Sequence, residues 1–491
     1  MNLLFISSSF ILGWTLGAND GGNIFGPAVS TGMLKFRYAA IVASIFVILG
    51  AFLQGGGATH TISSLGSVNM LFGSFTVAIA AALSLFLMLK IKIPVSGSQA
   101  VVGAIIGWNF FSGVFTDLTV VAKIFSSWVL TPILSGTLAI GFYILFRFYL
   151  SKRSFSLLRF DYTTRVGYII LIAFSAFSLG GNNIANVVGM FVGATPFHPI
   201  TFFDTFTLTS TMQLFLLGGI SIAVGILTRS MSNAQTVGKT IYKMSPLTGF
   251  IAILSSSLVL FVFSSRALQM LFISLGLPTL PLVPVSSSQA IVGSILGIGI
   301  VKKAENIQFK NLGKIAIGWL VNPILAGLIC FLSLFVIQNV FDQAVYKPTT
   351  YIFSETVMQK IESDDVETRG LTIIAGETFT SSRALRHTLN ELSTLSNHDK
   401  VSIAQIGEYY PTYIDQQILD MIKEKSLFPE SLFTPLTLIA DYSFEHKWQF
   451  IEQLSEHSPL WQFKPQKREN DFYNSELKKK YETLFVLFKK S

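Results

Sequence analysis

One aspartate lies inside an otherwise apolar segment, and amide side chains flank it. Asp20 belongs to the segment 17–26, GANDGGNIFG, between Asn19 and Asn23. A carboxylate inside an apolar membrane segment is costly, and it marks an ion pathway or a coupling site by default. Hard cations such as Na⁺ prefer oxygen ligands, which carboxylate and amide groups supply. The sequence therefore predicts a cation site at Asp20.

A second segment repeats this pattern far along the chain. The segment 180–189 is GGNNIANVVG, with Asn183 at the position of Asp20. We expect the glycines of both segments to interrupt their helices, near 17–23 and near 180–186, because unwound helices expose backbone carbonyls to an ion. The predicted cation ligands, with Na⁺ at Asp20, are Asn19, Asp20, Asn23, Asn182, Asn183 and Asn186.

Another duplicated motif has the composition of a helix start. The segment 94–103 is PVSGSQAVVG, and the segment 284–293 is PVSSSQAIVG. Proline is favoured in the first turn of a helix, and the free N–H groups of a helix N-terminus bind anions. Simple N-capping by serine is the alternative use of such a motif. The matched pair predicts a clamp for a tetrahedral oxyanion, built from Ser96, Ser98, Ser286, Ser287 and Ser288.

A third pair of motifs completes an internal duplication. The segment 128–134, WVLTPIL, corresponds to the segment 319–325, WLVNPIL, and the order of all three motifs is the same in both halves. In a hydrophobic chain, polar and glycine-rich duplicates are typical of the substrate site of a transporter.

The composition indicates a membrane body followed by a soluble tail. Only 13% of the residues are charged and the mean hydropathy is +0.57, whereas a soluble domain carries about a quarter charged residues. Residues 1–341 contain 18 Lys and Arg but 5 Asp and Glu, and residues 342–491 contain 17 and 22. The basic residues of the body lie between apolar segments, as membrane orientation requires. The pI of 9.3 therefore does not indicate nucleic-acid binding.

Five apolar spans are expected in each half. The first five cover roughly 3–33, 39–56, 70–89, 94–116 and 124–146, and the second five cover roughly 166–195, 205–227, 247–264, 284–301 and 315–338. An odd number of spans inserts the second half upside down, which is the inverted repeat of secondary transporters. The predicted fold is an all-α polytopic membrane protein with two inverted repeats, broken helices and re-entrant hairpins. Its domains are 1–150, 163–341 (inverted) and a soluble α or α/β domain, 342–491.

The distribution of charge predicts the orientation. Sixteen of the eighteen basic residues of the body fall on one side of the membrane if the N-terminus is outside, as the positive-inside rule requires. The same arrangement places residues 342–491 outside a plasma membrane. Within this tail, we expect helices over 381–395, 413–426 and 442–455, and a strand over 371–376.

At these motifs the chain resembles the inorganic phosphate transporter family, the Na⁺- or H⁺-coupled phosphate permeases, over about residues 1–340. The resemblance implies that Gly97, Gln99 and Gln289 belong to the anion set together with the serines. This sequence departs from the family where Asn183 replaces a second Asp, where Gln99 and Gln289 replace His, and where Gly97 replaces a hydroxyl residue. A sulfate permease branch of the family is also similar, including an Asn-Asn second motif.

The expected function is cation-coupled import of inorganic phosphate, with Na⁺ or H⁺ as the coupling ion and no other cofactor. Sulfate is the alternative substrate. A second carboxylate could accept the proton of HPO₄²⁻, but this chain has Asn183 there, and SO₄²⁻ has no proton to donate. An anion sensor that signals through residues 342–491 is a further alternative. An intramembrane hydrolase is not expected, because Asp20 has no intramembrane Asp partner and the sequence has no Gly-x-Ser-x-Gly motif. Whether the chain forms a homodimer in the lipid bilayer stays open.

Overall fold

The computed structural model forms two compact units. It describes residues 2–66, 68–91, 93, 95–152, 156–197, 199–202, 206–240, 244–302, 309–364, 366, 370–392, 395–424, 428–465 and 470–490. The membrane unit comprises Met1–Ser112, Leu118–Gln269 and Leu280–Lys347. The C-terminal unit comprises Gly113–Asp117, Met270–Thr279 and Pro348–Ser491.

Helices dominate the first 340 residues. The elements up to the middle of this region are α1 (Asn2–Phe5), α2 (Ser7–Ser30), α3 (Phe36–Gln54), α4 (Gly56–Leu65), α5 (Leu71–Lys90), α6 (Gly97–Ser112) and α7 (Leu118–Ser151). The remaining elements are α8 (Leu157–Val188), β1 (Ile200–Phe202), β2 (Phe206–Leu208), α9 (Ser210–Thr240), α10 (Pro246–Ser264), α11 (Arg266–Ser274), α12 (Ser287–Val301) and α13 (Phe309–Val340). Strands β1 and β2 form an antiparallel hairpin.

Seven helices of the described residues are long and apolar enough to cross a membrane, namely α3, α5, α7, α8, α9, α10 and α13. Each of the ten predicted spans contains a helix, because α2, α6 and α12 coincide with the other three. The expectation of a multi-pass helical membrane protein is confirmed. Helix α4 was not predicted, because its first residues are Gly56 and Gly57 and its composition is not that of a span.

Helix packing follows the duplication of the sequence. Helix α2 packs along α9, and α8 packs along α3 in the corresponding way. The contact of α6 with α13 likewise corresponds to the contact of α12 with α7. The contact of α2 with α5 corresponds to the contact of α8 with α10. Each of the five span helices of the first half, α2, α3, α5, α6 and α7, therefore has a counterpart with equivalent neighbours in the second half. The inverted orientation of the two halves across a bilayer stays a prediction.

The predicted helix interruptions near 17–23 and 180–186 are wrong. Both α2 and α8 continue through their motifs as α-helix. The glycines serve close helix packing instead: a Cβ on Gly17 would lie 2.0 Å from the Ile222 carbonyl oxygen, and one on Gly180 would lie 2.2 Å from the Val47 carbonyl oxygen. Small residues at helix contacts let backbones approach closely in membranes. The motif glycines thus fix the α2–α9 and α8–α3 contacts that position the polar side chains.

Substitution of Gly180 tests this role. We expect Gly180→Ala to lower the free energy of unfolding by about 1–3 kcal/mol, because the methyl group overpacks a tight backbone contact. Gly141→Ala in α7 is the matched control, since a Cβ there meets no atom within 4 Å. Thermal unfolding of the purified proteins in detergent measures the difference. Equal melting temperatures for the two variants would contradict the packing role.

The C-terminal unit combines short helices with two small sheets. Its elements after residue 348 are β3 (Tyr351–Ile352), α14 (Glu355–Ser363), β4 (Thr378–Phe379), α15 (Ser382–Glu391), α16 (Asn397–Gly407), β5 (Thr412–Tyr413), α17 (Gln416–Glu424), α18 (Glu430–Thr437), β6 (Ser443–Phe444), α19 (Lys447–His457) and α20 (Asp471–Leu487). Strand β3 pairs with β4, and β5 pairs with β6, both antiparallel. Helices α15, α17 and α19 confirm a helix in each of the three predicted regions. The predicted starts at 413 and 442 are wrong, because β5 and β6 precede α17 and α19 there.

The C-terminal unit is itself a tandem duplication, which the sequence analysis missed. The segment 371–379, LTIIAGETF, corresponds to the segment 436–444, LTLIADYSF. Gly376 has φ 76° and Asp441 has φ 64°. The N–H of Gly376 donates to the carbonyl of Phe353 at 2.7 Å, and that of Asp441 donates to the carbonyl of Ile414 at 2.9 Å. The two copies therefore share the same left-handed turn before β4 and β6.

The same turn explains why the predicted strand over 371–376 is wrong. Leu371–Ile373 forms a 3₁₀ turn, and Leu371 and Ile374 are buried three residues apart in one apolar cluster. This spacing belongs to a helical turn rather than to an extended strand. The left-handed conformation of Gly376 then ends the turn, and the strand begins only at Thr378.

His446 is a buried titratable group in the second copy. Its Nδ1 donates to the Glu408 carbonyl oxygen at 2.9 Å, whereas its Nε2 is buried and has no hydrogen-bond partner among the described residues. Burial lowers the pKa of His446 below its ordinary value of 6.5, and this outweighs the opposing effects of Glu408 and Glu445. The neutral imidazole is therefore the form that the folded unit accommodates.

The lowered pKa of His446 predicts that the C-terminal unit loses stability in acid. The unfolded state binds more protons, so the stabilisation is complete above the unfolded pKa of about 6.5 and is lost as pH falls through the lower folded value. We expect hydrogen exchange around β6 and α19 of the full chain, corrected for intrinsic rates, to accelerate between about pH 7.5 and pH 5. His446→Asn keeps a donor for Glu408 and removes the titration. An unchanged pH dependence in that variant would contradict the assignment to His446.

Candidate functional site

Asp20 is the centre of a buried cluster of amide side chains. Its Oδ1 accepts from Asn19 Nδ2 at 2.8 Å and from Asn23 Nδ2 at 3.3 Å. Its Oδ2 accepts from Asn183 Nδ2 at 2.6 Å. Three amides thus support the carboxylate, and Asn183 reaches it from the other half of the membrane unit. Asn183 and Asp20 occupy corresponding positions, so this bond joins the two halves at their common centre.

The first asparagine of each motif holds a helix start in place. Asn19 Nδ2 donates to the Val95 carbonyl oxygen at 2.9 Å, just before α6. In the corresponding position, Asn182 Nδ2 donates to the Val285 carbonyl oxygen at 2.8 Å, and its Oδ1 accepts from the Val285 N–H at 2.9 Å. Each motif therefore ties its own half's serine-bearing helix to the helix that carries the polar cluster.

The last asparagine of each motif crosses to the opposite half. Asn23 Nδ2 lies 3.0 Å from Ser287 Oγ and 3.2 Å from Ser288 Oγ. Asn186 Nδ2 lies 2.9 Å from Ser98 Oγ. These contacts place the serine hydroxyls of one half beside the asparagines of the other half. The cluster around Asp20 and the two helix starts consequently form one site.

Helices α6 and α12 begin at the predicted motif, and serine caps both. Ser96 Oγ accepts from the Gln99 N–H at 3.3 Å, and Ser286 Oγ accepts from the Gln289 N–H at 3.2 Å. N-capping is thus one role of the first serine in each motif, as the alternative interpretation expected. Pro94, which opens the first motif, lies outside the described residues.

The two helix starts also bond to each other. Ser98 Oγ donates to the Val285 carbonyl oxygen at 3.2 Å. Ser288 Oγ donates to the Val95 carbonyl oxygen at 3.0 Å. These reciprocal bonds bring two helix N-termini, with their free N–H groups and positive dipole ends, to the same place.

Four buried amide oxygens in this site have no hydrogen-bond partner among the described residues. They form two corresponding pairs, Asn23 Oδ1 with Asn186 Oδ1 and Gln99 Oε1 with Gln289 Oε1. A buried polar atom without a partner is costly, so its repetition in both halves indicates a use. Neutral amide oxygens beside one carboxylate match the ligand preference of a hard cation.

The structure gathers every residue of the two predicted sets in the interior of the membrane unit. All of them are buried, namely Asn19, Asp20, Asn23, Ser96, Gly97, Ser98, Gln99, Asn182, Asn183, Asn186, Ser286, Ser287, Ser288 and Gln289. Helices α2, α6 and α12 contain no Lys or Arg. An anion here would be held by helix N-termini, hydroxyls and a co-bound cation.

Two site residues were missed. Asn322 Nδ2 donates to the Ser96 carbonyl oxygen at 2.8 Å, and Ser84 Oγ donates to Asn322 Oδ1 at 2.8 Å. The signal was present in the third pair of motifs, where Asn322 corresponds to Thr131. An asparagine in an apolar span, at a position that differs between the halves, is itself an indication of a role.

Paired polar motifs that converge on one buried centre of a multi-pass helical bundle define a membrane transporter. The profile of the phosphate transporter family matches residues 16–166, 156–279 and 267–487 of this chain. The chain belongs to the phosphate transporter family, and it is a transporter rather than an enzyme.

Relatives support the same family. The chain is 32% identical over 334 residues to a candidate phosphate permease of Methanocaldococcus jannaschii, with 68% of this chain and 96% of that protein covered. It is 30% identical over 341 residues to a sulfate permease of Bacillus subtilis, with 68% and 87% covered.

A solved structure shares the fold. A sodium-dependent phosphate transporter superposes with a TM-score of 0.54 at 20% sequence identity, over 69% of this chain and 98% of that one.

Asn183→Asp tests the amide at the centre of the site. Two carboxylates at hydrogen-bond distance cannot both stay charged without a cation or a proton between them. We expect the variant to lose roughly 1–3 kcal/mol of stability in choline buffer. Added Na⁺ should stabilise the variant more than it stabilises the unsubstituted protein.

Thermal unfolding with and without Na⁺ measures both effects. Asn339→Asp is the control, because Asn339 lies exposed on α13. If Asn183→Asp leaves both the stability and the response to Na⁺ unchanged, Asn183 does not support the carboxylate of Asp20.

Proposed function

We propose that this protein is a cation-coupled secondary transporter that imports inorganic phosphate across the plasma membrane. The proposal depends on Asp20, the one buried carboxylate among the described residues, which is in hydrogen-bond contact with both halves of the membrane unit. Asn23 links this carboxylate to Ser287 at the start of α12, and Asn19 links it to the Val95 carbonyl just before α6. A cation site and an anion site that share their connecting side chains are the arrangement that coupled binding requires.

Electrostatics explains why the two ions bind together. A cation at Asp20 offsets the negative charge, and the unpartnered amide oxygens of Asn23 and Asn186, both in the predicted cation set, are available as further ligands. The bound cation then adds positive potential beside two helix N-termini, which already favour an anion. A divalent oxyanion without the cation would face an unscreened carboxylate in a medium of low dielectric constant. Each ion therefore improves the site for the other.

The ligand set favours Na⁺ over H⁺ as the coupling ion. A proton needs only one basic oxygen, and it leaves the unpartnered oxygens of Asn23 and Asn186 with nothing to coordinate. Na⁺ uses several oxygens at once, including neutral ones. These two oxygens, at corresponding positions of the two halves, are therefore better explained by Na⁺.

Transport follows from the duplicated construction. The site lies between two halves with corresponding helix contacts, so rocking one half against the other would open it to one side and then to the other. The charge distribution of the sequence predicts that residues 342–491 lie outside the cytoplasm.

Sulfate is the second candidate substrate, and one residue favours it. Asn183 supplies a neutral amide where a second carboxylate would accept the proton of HPO₄²⁻, and sulfate carries no such proton. The similarity to a sulfate permease supports the same alternative. Phosphate remains first because both the family and the M. jannaschii relative bear its name.

Uptake by proteoliposomes decides between the substrates. Purified protein is reconstituted, and entry of radiolabelled phosphate and of sulfate is measured with an inward Na⁺ gradient, with a proton gradient and with neither. The proposal expects phosphate accumulation that requires Na⁺. Sulfate accumulation alone would establish the second candidate, and the absence of gradient-driven uptake of both anions would overturn the proposed function.

Asp20→Asn tests the coupling residue. We expect it to abolish Na⁺-driven accumulation, because the cation loses its only charged ligand among the predicted site residues. Asp161→Asn removes an exposed carboxylate that pairs with Arg165, and it should transport normally. Cation-dependent uptake that persists in Asp20→Asn would count decisively against the scheme.

A further inference from the structure

The two helix starts differ at one of their serine positions. The motif before α6 is PVSGSQ and the motif before α12 is PVSSSQ, so Gly97 corresponds to Ser287. A Cβ on Gly97 would lie 2.0 Å from Leu16 Cδ2, and Leu16 is fully buried. Ser287 Oγ, in contrast, lies 3.0 Å from Asn23 Nδ2. The first helix start thus lacks a hydroxyl group that the second one carries, and the packing against α2 disfavours adding one.

A second difference lies beside the first. Asn322 of α13 donates from Nδ2 to the Ser96 carbonyl oxygen at 2.8 Å. Ser84 of α5 orients this amide, because its hydroxyl lies 2.8 Å from Asn322 Oδ1 and 3.1 Å from the Asn322 carbonyl oxygen. All three residues are buried. The counterpart of Asn322 is Thr131, whose hydroxyl bonds back to its own helix at the Ser127 carbonyl oxygen, 2.6 Å away.

The Asn322 bond also fixes a backbone donor. Ser96 and Gly97 share one peptide plane, in which the carbonyl and the following N–H point in opposite directions. The Ser96 carbonyl also accepts the Ala100 N–H at 3.3 Å, the first bond of α6. The bond from Asn322 is shorter and adds a second donor, so it fixes this carbonyl, and with it the direction of the Gly97 N–H, more firmly than α6 alone does. Gly97 and Ser98 are the first residues of α6, so their N–H groups have no acceptor within the helix. A donor without an internal partner, held in one orientation, is ready for an anion.

We propose that Asn322, oriented by Ser84, is a positioning residue that presents the Gly97 N–H to the transported anion. It compensates in the first half for the hydroxyl that Ser287 provides in the second half. The two halves of the anion site are therefore not equivalent: one binds through an oriented peptide and the other through a side chain. This assignment rests on the proposed function, since it describes how that site recognises a tetrahedral oxyanion.

The chain itself supplies the test substitutions. Asn322→Thr installs the residue of the other half and removes the bond to Ser96. Ser84→Ala removes the orienting hydroxyl without changing α13, and Ser84→Thr retains it. Thr131→Asn is the control, because it adds an asparagine at the corresponding position of the other half. Uptake is measured with phosphate or with sulfate, whichever the unsubstituted protein accumulates, as a function of anion and then of Na⁺ concentration.

We expect Asn322→Thr and Ser84→Ala to raise the KM for the anion about fivefold, the factor that one net hydrogen bond is worth. The half-saturating Na⁺ concentration at saturating anion and the maximal rate should change less than twofold, and Ser84→Thr should restore the KM. Thr131→Asn should leave the KM unchanged. Hydrogen exchange of residues 95–100 should accelerate in Asn322→Thr, even without any substrate.

A KM for the anion within twofold of normal in both Asn322→Thr and Ser84→Ala would overturn the proposal. Equal losses in the anion KM, the Na⁺ dependence and the maximal rate would also overturn it, because they indicate a general structural role. If the unsubstituted protein accumulates neither anion, the proposed function fails. The hydrogen-exchange experiment then tests separately whether Asn322 orders the start of α6. Unchanged hydrogen exchange in Asn322→Thr would show that it does not.

Discussion

A buried carboxylate that accepts a hydrogen bond from its own counterpart is the interaction on which the site depends. Asn183 Nδ2 donates to Asp20 Oδ2 at 2.6 Å, across the junction of the two halves. A charge in a membrane interior needs compensation, and here amides from both halves provide it. The neighbouring asparagines of the same two motifs make the other contacts of the site. Asn19 and Asn182 hold the two helix starts, and Asn23 and Asn186 reach the serines of the opposite half.

The duplication makes this geometry attainable, and its local departures make it asymmetric. Corresponding helices pack on corresponding partners, and glycine contacts such as Gly17 on Ile222 bring their backbones close together. A perfect repeat would place two carboxylates in hydrogen-bond contact, with mutual repulsion. This chain instead has one carboxylate and one amide, and one helix start with a hydroxyl and one with an anchored peptide. Each half therefore contributes different chemical groups to the same site.

The sequence predicts much of this arrangement because a membrane segment has few reasons to contain polar residues. The positions of Asp20, of the asparagines and of the serine motifs were therefore informative, and the structure gathers them. The role of the motif glycines was not predictable in the same way, because glycine is typical both of an interrupted helix and of a close contact between two helices. Asn322 lies in a duplicated motif, but its role was not predictable, since its partner, the Ser96 carbonyl, is a backbone atom that composition does not reveal. The duplication at 371–379 and 436–444 was missed because soluble helices and turns share much of their composition.

Reciprocal binding measures the central claim most directly. Isothermal titration of the detergent-solubilised protein determines the affinity for the transported anion with and without Na⁺, and the affinity for Na⁺ with and without the anion. Linkage requires both ratios to be equal. We expect each ion to increase the binding affinity for the other by the same factor, roughly tenfold or more for charges this close. This coupling should vanish in Asp20→Asn. Anion affinity that is independent of Na⁺ in the unsubstituted protein would contradict the account.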